Sequence, residues 1–173
     1  MTSLEDFFPE IEVQVHEIHR DNRGYFRRVL DRKSDLDRIV ETSVSYNSKK
    51  GTIRGMHMQI SPSSEEKYVS VLRGSIFDVI VDARPNSNNF GEWRSILISE
   101  DLGNTIRIPS GFAHGFQTLE DDTLVSYSMT DHHNPLLEVS VYFNDPLLNI
   151  TWPLSPTEIS IRDQTAALWP PKF

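Results

Sequence analysis

Hydrophobic and polar side chains alternate with a period of two along much of this chain, which is the pattern of half-buried β-strands. Residues 11–18 show it most clearly, because Ile11, Val13 and Val15 alternate with polar neighbours. Further runs rich in β-branched and aromatic residues predict strands at 68–71, 75–81, 93–98, 105–108 and 123–129. Only two segments have a helical pattern, and both are short: 32–40, and a turn or helix near 156–167.

Glycine, proline and asparagine separate these runs at short intervals, as they do in all-β proteins. Many short strands and few helices in 173 residues predict a sandwich or barrel of the jelly-roll type. Strands and helices do not alternate, and no glycine-rich phosphate loop is present, which disfavours a nucleotide-binding α/β sheet. The sequence contains no internal repeat and no linker, so we expect one domain over residues 1–173.

Composition narrows the possible functions. The absence of cysteine excludes disulfides, zinc–thiolate sites and cysteine nucleophiles. The N-terminus is acidic and lacks the apolar run of a signal peptide, and no window approaches the ~18 apolar residues of a membrane span. We therefore expect a cytoplasmic protein. A net charge of −8 disfavours binding to nucleic acid or to a membrane, so a phosphorylated ligand would need a local cluster of basic residues.

One segment sharpens the fold prediction. Gly103, Pro109, Gly111 and His114 follow one another with the spacing of the second cupin motif, so the chain resembles a cupin. The resemblance implies a cupin-type β-jelly roll, also called a double-stranded β-helix, with a few short helices.

Metal-binding cupins hold their ion with two histidines of a first motif, a glutamate and a later histidine, a ligand set that suits iron, manganese or zinc. Here the first motif falls at residues 51–60 and has Gln59 where the second histidine would stand. His57 and His114 remain, with Glu65 or Glu66 as the acidic candidate. Two histidines seldom hold a catalytic ion, so we predict that no metal binds. Imidazole groups inside a barrel are also well suited to moving protons near neutral pH.

A more specific resemblance covers nearly the whole chain. The motifs D-x-R-G-x-F, K-G-x-x-R-G-x-H-x-Q, D-V-x-V-D-x-R and I-P-x-G-x-A-H-G-F occur in this order. They occupy 21–26, 50–59, 78–84 and 108–116, and further matches are Lys67, 144–146, 150–153 and 160–163. In these motifs and their order the chain resembles the dTDP-4-dehydrorhamnose 3,5-epimerase family.

The resemblance implies catalytic roles for four residues. His57 would remove the proton from the carbon beside a keto group, and Asp163 would fix the tautomer of His57. Tyr127 would return a proton from the opposite face, and Lys67 would stabilise the enolate that forms in between. This chemistry needs a base, an acid and a positive charge near the oxygen, so no cofactor is expected.

The expected substrate is a nucleotide-diphosphate 4-keto-6-deoxy sugar, as in deoxysugar and surface-polysaccharide biosynthesis. The resemblance implies that seven residues bind it: Arg23, Arg54, His114, Glu138, Arg162, Gln59 and His133. It also implies a homodimer in which the N-terminal strand reaches towards the partner's barrel.

Some positions depart from the family pattern. Arg28 stands where the family commonly has a glutamate, and Thr42 and Val44 align with a glutamine and an asparagine that help to read thymine and its ribose. The nucleotide therefore stays open between dTDP and CDP.

A second group of departures concerns the sugar. Met58 replaces a tyrosine, and His132 and His133 replace an aromatic pair that shapes the sugar and base site. Inversion of C3, of C5 or of both therefore stays open.

Three other functions were weighed against epimerisation. A nucleotide-sugar 3,4-ketoisomerase would not need Tyr127 opposite His57. A metal-dependent oxygenase is disfavoured by Gln59. A non-catalytic sugar-binding cupin would tolerate the loss of His57, which this chain retains.

Overall fold

A computed structural model describes residues 4–31, 34, 36–63 and 65–171 of the chain. Helix α1 is Leu4–Phe7, helix α2 is Ile161–Gln164, and a 3₁₀ turn covers Leu36–Arg38. The strands are β1 Glu12–Val15, β2 Ile18–Asp21, β3 Gly24–Arg27, β4 Glu41–Asn47, β5 Ile53–Gln59, β6 Lys67–Arg73, β7 Ser75–Asp82, β8 Trp93–Ser99, β9 Asn104–Ile108, β10 Phe112–Thr118, β11 Thr123–Met129 and β12 Glu138–Ser140. Among the described residues, no helix is long and apolar enough to cross a membrane.

The strands form two five-stranded sheets and one hairpin. The first sheet has the order β1-β9-β6-β11-β4, the second has the order β12-β5-β10-β7-β8, and β2 pairs only with β3. Neighbouring strands are antiparallel in every pair of the described chain. The predicted all-β jelly roll with a few short helices is therefore confirmed.

The main hydrophobic core lies between the two large sheets. Val69 and Val71 of β6 pack there against Ile76 and Ile80 of β7 and against Phe116 of β10. A second cluster covers the other face of the β5–β10–β7 sheet, where the chain that follows β12 packs on it. Strand β7 is consequently buried on both faces, which explains its nearly continuous apolar sequence.

The predicted elements are partly confirmed. The strands predicted at 68–71, 75–81, 93–98, 105–108 and 123–129 lie within or coincide with parts of β6, β7, β8, β9 and β11. The single strand predicted at 11–18 is wrong, because His16 and Glu17 belong to no strand and separate β1 from β2. Strand β1 therefore pairs with β9, while β2 forms the hairpin with β3.

The helix predicted at 32–40 is also wrong where it can be compared. Only Leu36–Arg38 forms a short 3₁₀ turn, and residues 32, 33 and 35 lie outside the described part of the chain. The turn or helix predicted near 156–167 is the short helix α2. Its first backbone N–H groups are capped by Ser160, whose hydroxyl oxygen accepts from the N–H of Asp163 at 3.1 Å.

A bulge in β5 controls which side chains enter the space between the sheets. His114 of β10 pairs with His57 of β5, whereas Phe116 pairs with Arg54, so three steps on β5 match two on β10. The extra residue breaks the usual alternation of faces. Arg54 and His57, three positions apart, both line the same cavity as a result.

Gly55 makes this bulge possible. Its φ is +127°, a region that side chains rarely adopt, and a Cβ added there would lie 2.5 Å from the Cα of Gly115. The backbones of β5 and β10 thus touch directly at this point.

We expect Gly55→Ala to lower the free energy of unfolding by about 3 kcal/mol or more, because it adds a backbone clash to the strain of a positive φ. Gly24→Ala is the matched control, since Gly24 has φ +128° and no atom within 4 Å of the added Cβ. Its loss should be about 1–2 kcal/mol. Urea unfolding followed by tryptophan fluorescence measures both. Equal losses in the two variants would show that the contact with Gly115 does not contribute to the change in the free energy of unfolding.

Candidate active site

A cavity of about 950 Å³ opens between the two large sheets. This volume suits a ligand of the size of a nucleotide sugar. The predicted site residues that line it are His57, Tyr127, Asp163, Lys67, Arg54, His114, Glu138, Arg162 and His133.

His57 and Asp163 form a hydrogen-bonded pair on one wall. The Nε2 of His57 lies 2.6 Å from the Oδ1 of Asp163, although 106 positions separate the two residues in sequence. Because a carboxylate only accepts, Nε2 carries the proton and Nδ1 keeps its lone pair. The carboxylate is 3% exposed, whereas the imidazole is 25% exposed. The pair therefore presents an oriented base to the cavity.

Asp163 is held in its ionised form. Burial by itself raises the pKa of Asp163, but hydrogen bonds from His57, from the backbone N–H of Gly55 and with Ser160 more than offset this effect. The pKa therefore lies below its ordinary value. An ionised carboxylate at this position also stabilises an imidazolium on His57 after proton uptake.

Tyr127 lies on the opposite wall, on β11. Its hydroxyl is hydrogen-bonded to the hydroxyl of Ser45 at 2.8 Å. Burial raises the pKa of Tyr127 far above its ordinary value, and the opposing effects of Ser45 and of the Arg54 charge are smaller. The phenol is therefore neutral near pH 7 and can donate a proton but not remove one.

Lys67 supplies positive charge near these two groups. It is the first residue of β6 and pairs with Met129 of β11. Its ammonium Nζ lies 2.8 Å from the Oε1 of Glu65, which also lines the cavity. The cavity thus holds a base on one wall, an acid on the other and an ammonium beside them.

Arg54 meets the need for local positive charge in an acidic protein. Its Nε donates to the amide oxygen of Asn47 at 2.7 Å, and Nη2 donates to the carbonyl of Tyr46 at 3.4 Å. Both partners are neutral, and among residues 4–31, 34, 36–63 and 65–171 no carboxylate pairs with Arg54. Its charge can therefore bind an anionic group such as a phosphate.

His114 belongs to a second buried histidine–aspartate pair. Its Nε2 lies 2.7 Å from the Oδ2 of Asp78, and the pair is almost completely enclosed. The other carboxylate oxygen, Oδ1, is buried and has no hydrogen-bond partner within the described chain. Burial raises the pKa of Asp78, and the interaction with His114 offsets this only in part.

At the rim of the cavity, Arg162 binds Glu138. Both terminal nitrogens of Arg162 lie 2.9 Å from the carboxylate oxygens of Glu138, a bidentate arrangement. The Nε2 of His133 lies 3.8 Å from Glu138, and the backbone N–H of His133 donates to Glu41 at 3.0 Å. These four residues form one polar border.

Two predicted substrate-binding residues do not line the cavity of this chain. Arg23 lies in the exposed turn of the β2–β3 hairpin, where it forms an ion pair with Asp21 at 2.5 Å. Gln59 is buried behind the lining, and its amide nitrogen donates to Glu65 at 2.8 Å. Its amide oxygen accepts the N–H of Asn134 at 2.6 Å, so the amide is already occupied.

The interpretation of β4 also needs correction. Thr42 and Val44 were placed at base-reading positions, but they point away from the cavity, and the side chains that line it are Glu41, Ser43 and Ser45. The alternation within β4 could have revealed these three residues.

Among the residues that the structure describes, no three histidine, aspartate or glutamate side chains are arranged so that they could hold a metal ion. His57 and His114 instead direct one nitrogen each to a carboxylate.

The two aspartates should affect stability with opposite dependence on pH. The raised pKa of Asp78 means that stability is lost as pH rises from the ordinary value of 3.8 towards the folded pKa. Asp78→Asn removes this loss, so its free energy of unfolding should improve relative to wild type as pH rises. Urea unfolding between pH 4 and 7 measures the difference.

Asp163→Asn is the control of opposite sign. Its lowered pKa gives stability that is present above 3.8 and is lost as pH falls through the folded pKa. This variant should therefore lose stability relative to wild type as pH rises towards 3.8, with a constant difference above that value, and urea unfolding extended below pH 4 measures the change. Parallel trends in both variants would contradict the assignment.

Comparison with known proteins agrees with this geometry. The sequence model of the family dTDP-4-dehydrorhamnose 3,5-epimerase matches residues 5–170. The curated epimerase of that name from Methanothermobacter thermautotrophicus is 36% identical over 160 residues, covering 90% of this chain and 85% of the relative.

Two solved structures are also similar. The Legionella pneumophila epimerase in complex with dTDP-4-keto-L-rhamnose has a TM-score of 0.86 and 35% identity, covering 97% of this chain and 90% of that one. A 3'-monoepimerase from Streptomyces bikiniensis in complex with dTDP-quinovose has a TM-score of 0.83 and 28% identity, covering 91% and 83%. The chain belongs to the dTDP-4-dehydrorhamnose 3,5-epimerase family.

Proposed function

We propose that this protein is an isomerase that epimerises a nucleotide-linked 4-keto-6-deoxyhexose at C3, at C5 or at both. One observation carries the proposal: the His57–Asp163 pair and Tyr127 line one cavity from the two opposite sheets, and the Lys67 side chain lines the same cavity. Inversion of a carbon next to a ketone requires this combination of base, opposite acid and positive charge.

The reaction begins when Nδ1 of His57 removes the proton from the carbon next to the C4 ketone. The C–H electron pair moves into a carbon–carbon double bond, and the carbonyl electrons move onto the oxygen to give an enolate. Lys67 stabilises that negative charge, and Asp163 stabilises the imidazolium. Tyr127 then gives its phenolic proton to the other face of the same carbon. Solvent restores the proton of Tyr127 and removes the one on His57.

The diphosphate of the substrate fits the charge of Arg54, whose partners within the described part of the chain are neutral. The two structural relatives described above contain dTDP sugars, and we propose dTDP as the nucleotide here as well. The carboxylate of Glu41 and the hydroxyls of Ser43 and Ser45 supply hydrogen-bonding groups along the β4 side of the cavity. We place the enzyme in the cytoplasm, where nucleotide sugars are made.

Exchange of the α-protons with solvent tests the function directly. In deuterated water, the wild-type protein should incorporate deuterium at C3, at C5 or at both when it is given dTDP-4-keto-6-deoxyglucose. The CDP sugar serves as the comparison of nucleotides, and NMR with mass spectrometry locates the label. His57→Asn should abolish incorporation because the base is missing. Absence of exchange by wild type on both substrates would refute the function.

Tyr127→Phe provides the matched contrast in the same experiment. The variant keeps the base, so loss of the α-proton should continue, while formation of the inverted product should fall by about 10²-fold or more. Equal losses of exchange and inversion would mean that Tyr127 is not the acid of the opposite face.

We also propose that the protein is a homodimer in which the β2–β3 hairpin brings Arg23 to the partner's cavity. Arg23 lies outside the cavity of its own chain, and Phe26 on the same hairpin is 61% exposed. Val44 and Tyr46, on the outer face of β4, are 55% and 56% exposed. These apolar side chains supply surface that a second copy would bury.

A mixed dimer can test the position of Arg23. Arg23→Ala should raise KM about tenfold, because a phosphate contact is lost. Heterodimers of Arg23→Ala and His57→Asn chains, isolated with two different tags, should recover about half of the wild-type activity, since one cavity is then intact. If Arg23 acts in its own chain, both cavities stay defective and the activity cannot exceed half that of the Arg23→Ala dimer.

A further inference from the structure

Glu65 occupies a position against the ammonium of Lys67 at the inner edge of the cavity. Its Oε1 lies 2.8 Å from the Lys67 Nζ. The carboxylate is 7% exposed and the lysine side chain 19% exposed, so solvent screens this pair far less than a pair on the surface. The proposed chemistry uses Lys67 but gives no role to Glu65.

The second oxygen of Glu65 is fixed as well. Its Oε2 accepts from the amide Nε2 of Gln59 at 2.8 Å, and the backbone N–H of Glu65 donates to the hydroxyl of Ser63 at 3.3 Å. Gln59 is itself anchored by Asn134, the residue that follows His133 at the rim. Glu65 is therefore held by neighbours on both sides and can serve as a fixed anchor.

Lys67 depends on that anchor for its position. A lysine side chain is flexible, and the loss of rotamer entropy opposes its immobilisation. Within the parts of the chain that the structure describes, Glu65 is the partner recorded for the Lys67 ammonium. An ammonium has three N–H donors, so one contact with Glu65 leaves two for a substrate oxygen.

The neighbouring carboxylate shows that this contact is specific. Glu66 is also buried and ion-paired, but it binds Arg107 at 2.8 Å and Arg38 at 3.0 Å, away from the cavity. The two adjacent glutamates therefore bind different basic residues. Glu66 forms ion pairs with Arg107 of β9 and with Arg38 of the 3₁₀ turn, whereas Glu65 lines the cavity.

We propose that Glu65 is a positioning residue that holds the Lys67 ammonium at the point where negative charge develops on the substrate's carbonyl oxygen. The inference rests on the proposed epimerase function. An ammonium fixed in advance stabilises the enolate without reorganisation during the reaction. Since this charge is present in the transition state and absent from the bound ketone, Glu65 affects kcat more than KM.

Steady-state kinetics of α-proton exchange tests the inference. We expect Glu65→Ala to lower kcat about 10- to 100-fold and to change KM less than about threefold. Glu65→Gln retains an oxygen that accepts from Lys67 and should lose less than Glu65→Ala. Glu66→Gln is the control from the next position, and it should lower stability to urea while kcat stays within about twofold of wild type.

A double variant shows whether Glu65 acts through Lys67. If it does, adding Glu65→Ala to Lys67→Gln should change the exchange rate less than about twofold, because the positioned group is already gone. A further loss of tenfold would overturn the inference, as would a Glu65→Ala variant with wild-type kcat. Wild type that exchanges no proton refutes the epimerase function itself, whereas normal exchange by wild type and by Glu65→Ala refutes only the role of Glu65.

Discussion

The close approach of β5 to β10 at Gly55 and Gly115 is the constraint on which the site depends. A regular strand would direct Arg54 and His57 to opposite faces, because they are three positions apart. The bulge removes that conflict, so the guanidinium of Arg54 and the imidazole of His57 share one cavity. The contact admits no side chain at residue 55, and glycine there follows from the function of the two neighbouring residues rather than from the fold alone.

The charged groups that this arrangement brings into the barrel are stabilised in unequal ways. Asp163 receives hydrogen bonds from His57 and Gly55 and stays ionised despite its burial. Asp78 has one partner for two oxygens, and burial dominates its pKa. An apolar residue at position 78 would suit the core between Ile76 and Ile80 better. The carboxylate of Asp78 beside His114 therefore lowers the stability of the fold, as charged groups of functional sites often do.

Sequence patterns predicted the class of fold well and the details of the site less well. Strands with buried apolar faces, such as β7 and β11, follow from runs rich in β-branched and aromatic residues. Strand β5 was not predicted as a strand, because its polar side chains face the interior and its bulge interrupts the period of two. The break after Val15 coincides with the end of its partner strand β9 at Asn104, which no local pattern encodes.

The site residues divide in the same way. The pairing of His57 with Asp163 spans 106 positions and came from family resemblance, since no periodicity relates residues so distant. The resemblance also named Gln59, which the structure places behind the cavity, where it holds Glu65 and the segment at Asn134. The positioning role of Glu65 could be inferred only from the structure, which places Lys67 and Gln59 on either side of its carboxylate.

The arrangement of these groups also bears on how many centres are inverted. C3 and C5 are both adjacent to the C4 ketone, so one base, one acid and one ammonium serve either carbon with the same chemistry. What differs is whether the sugar can turn to present its second proton to Nδ1 of His57. At the rim, Glu41, Glu138, His133 and Arg162 form a connected polar border. We propose that this border limits how the sugar can turn. Relatives that act at one centre and relatives that act at two share this fold, as their names indicate. We therefore propose that the border around the sugar sets the number of inversions and that the histidine–aspartate pair takes part in each of them.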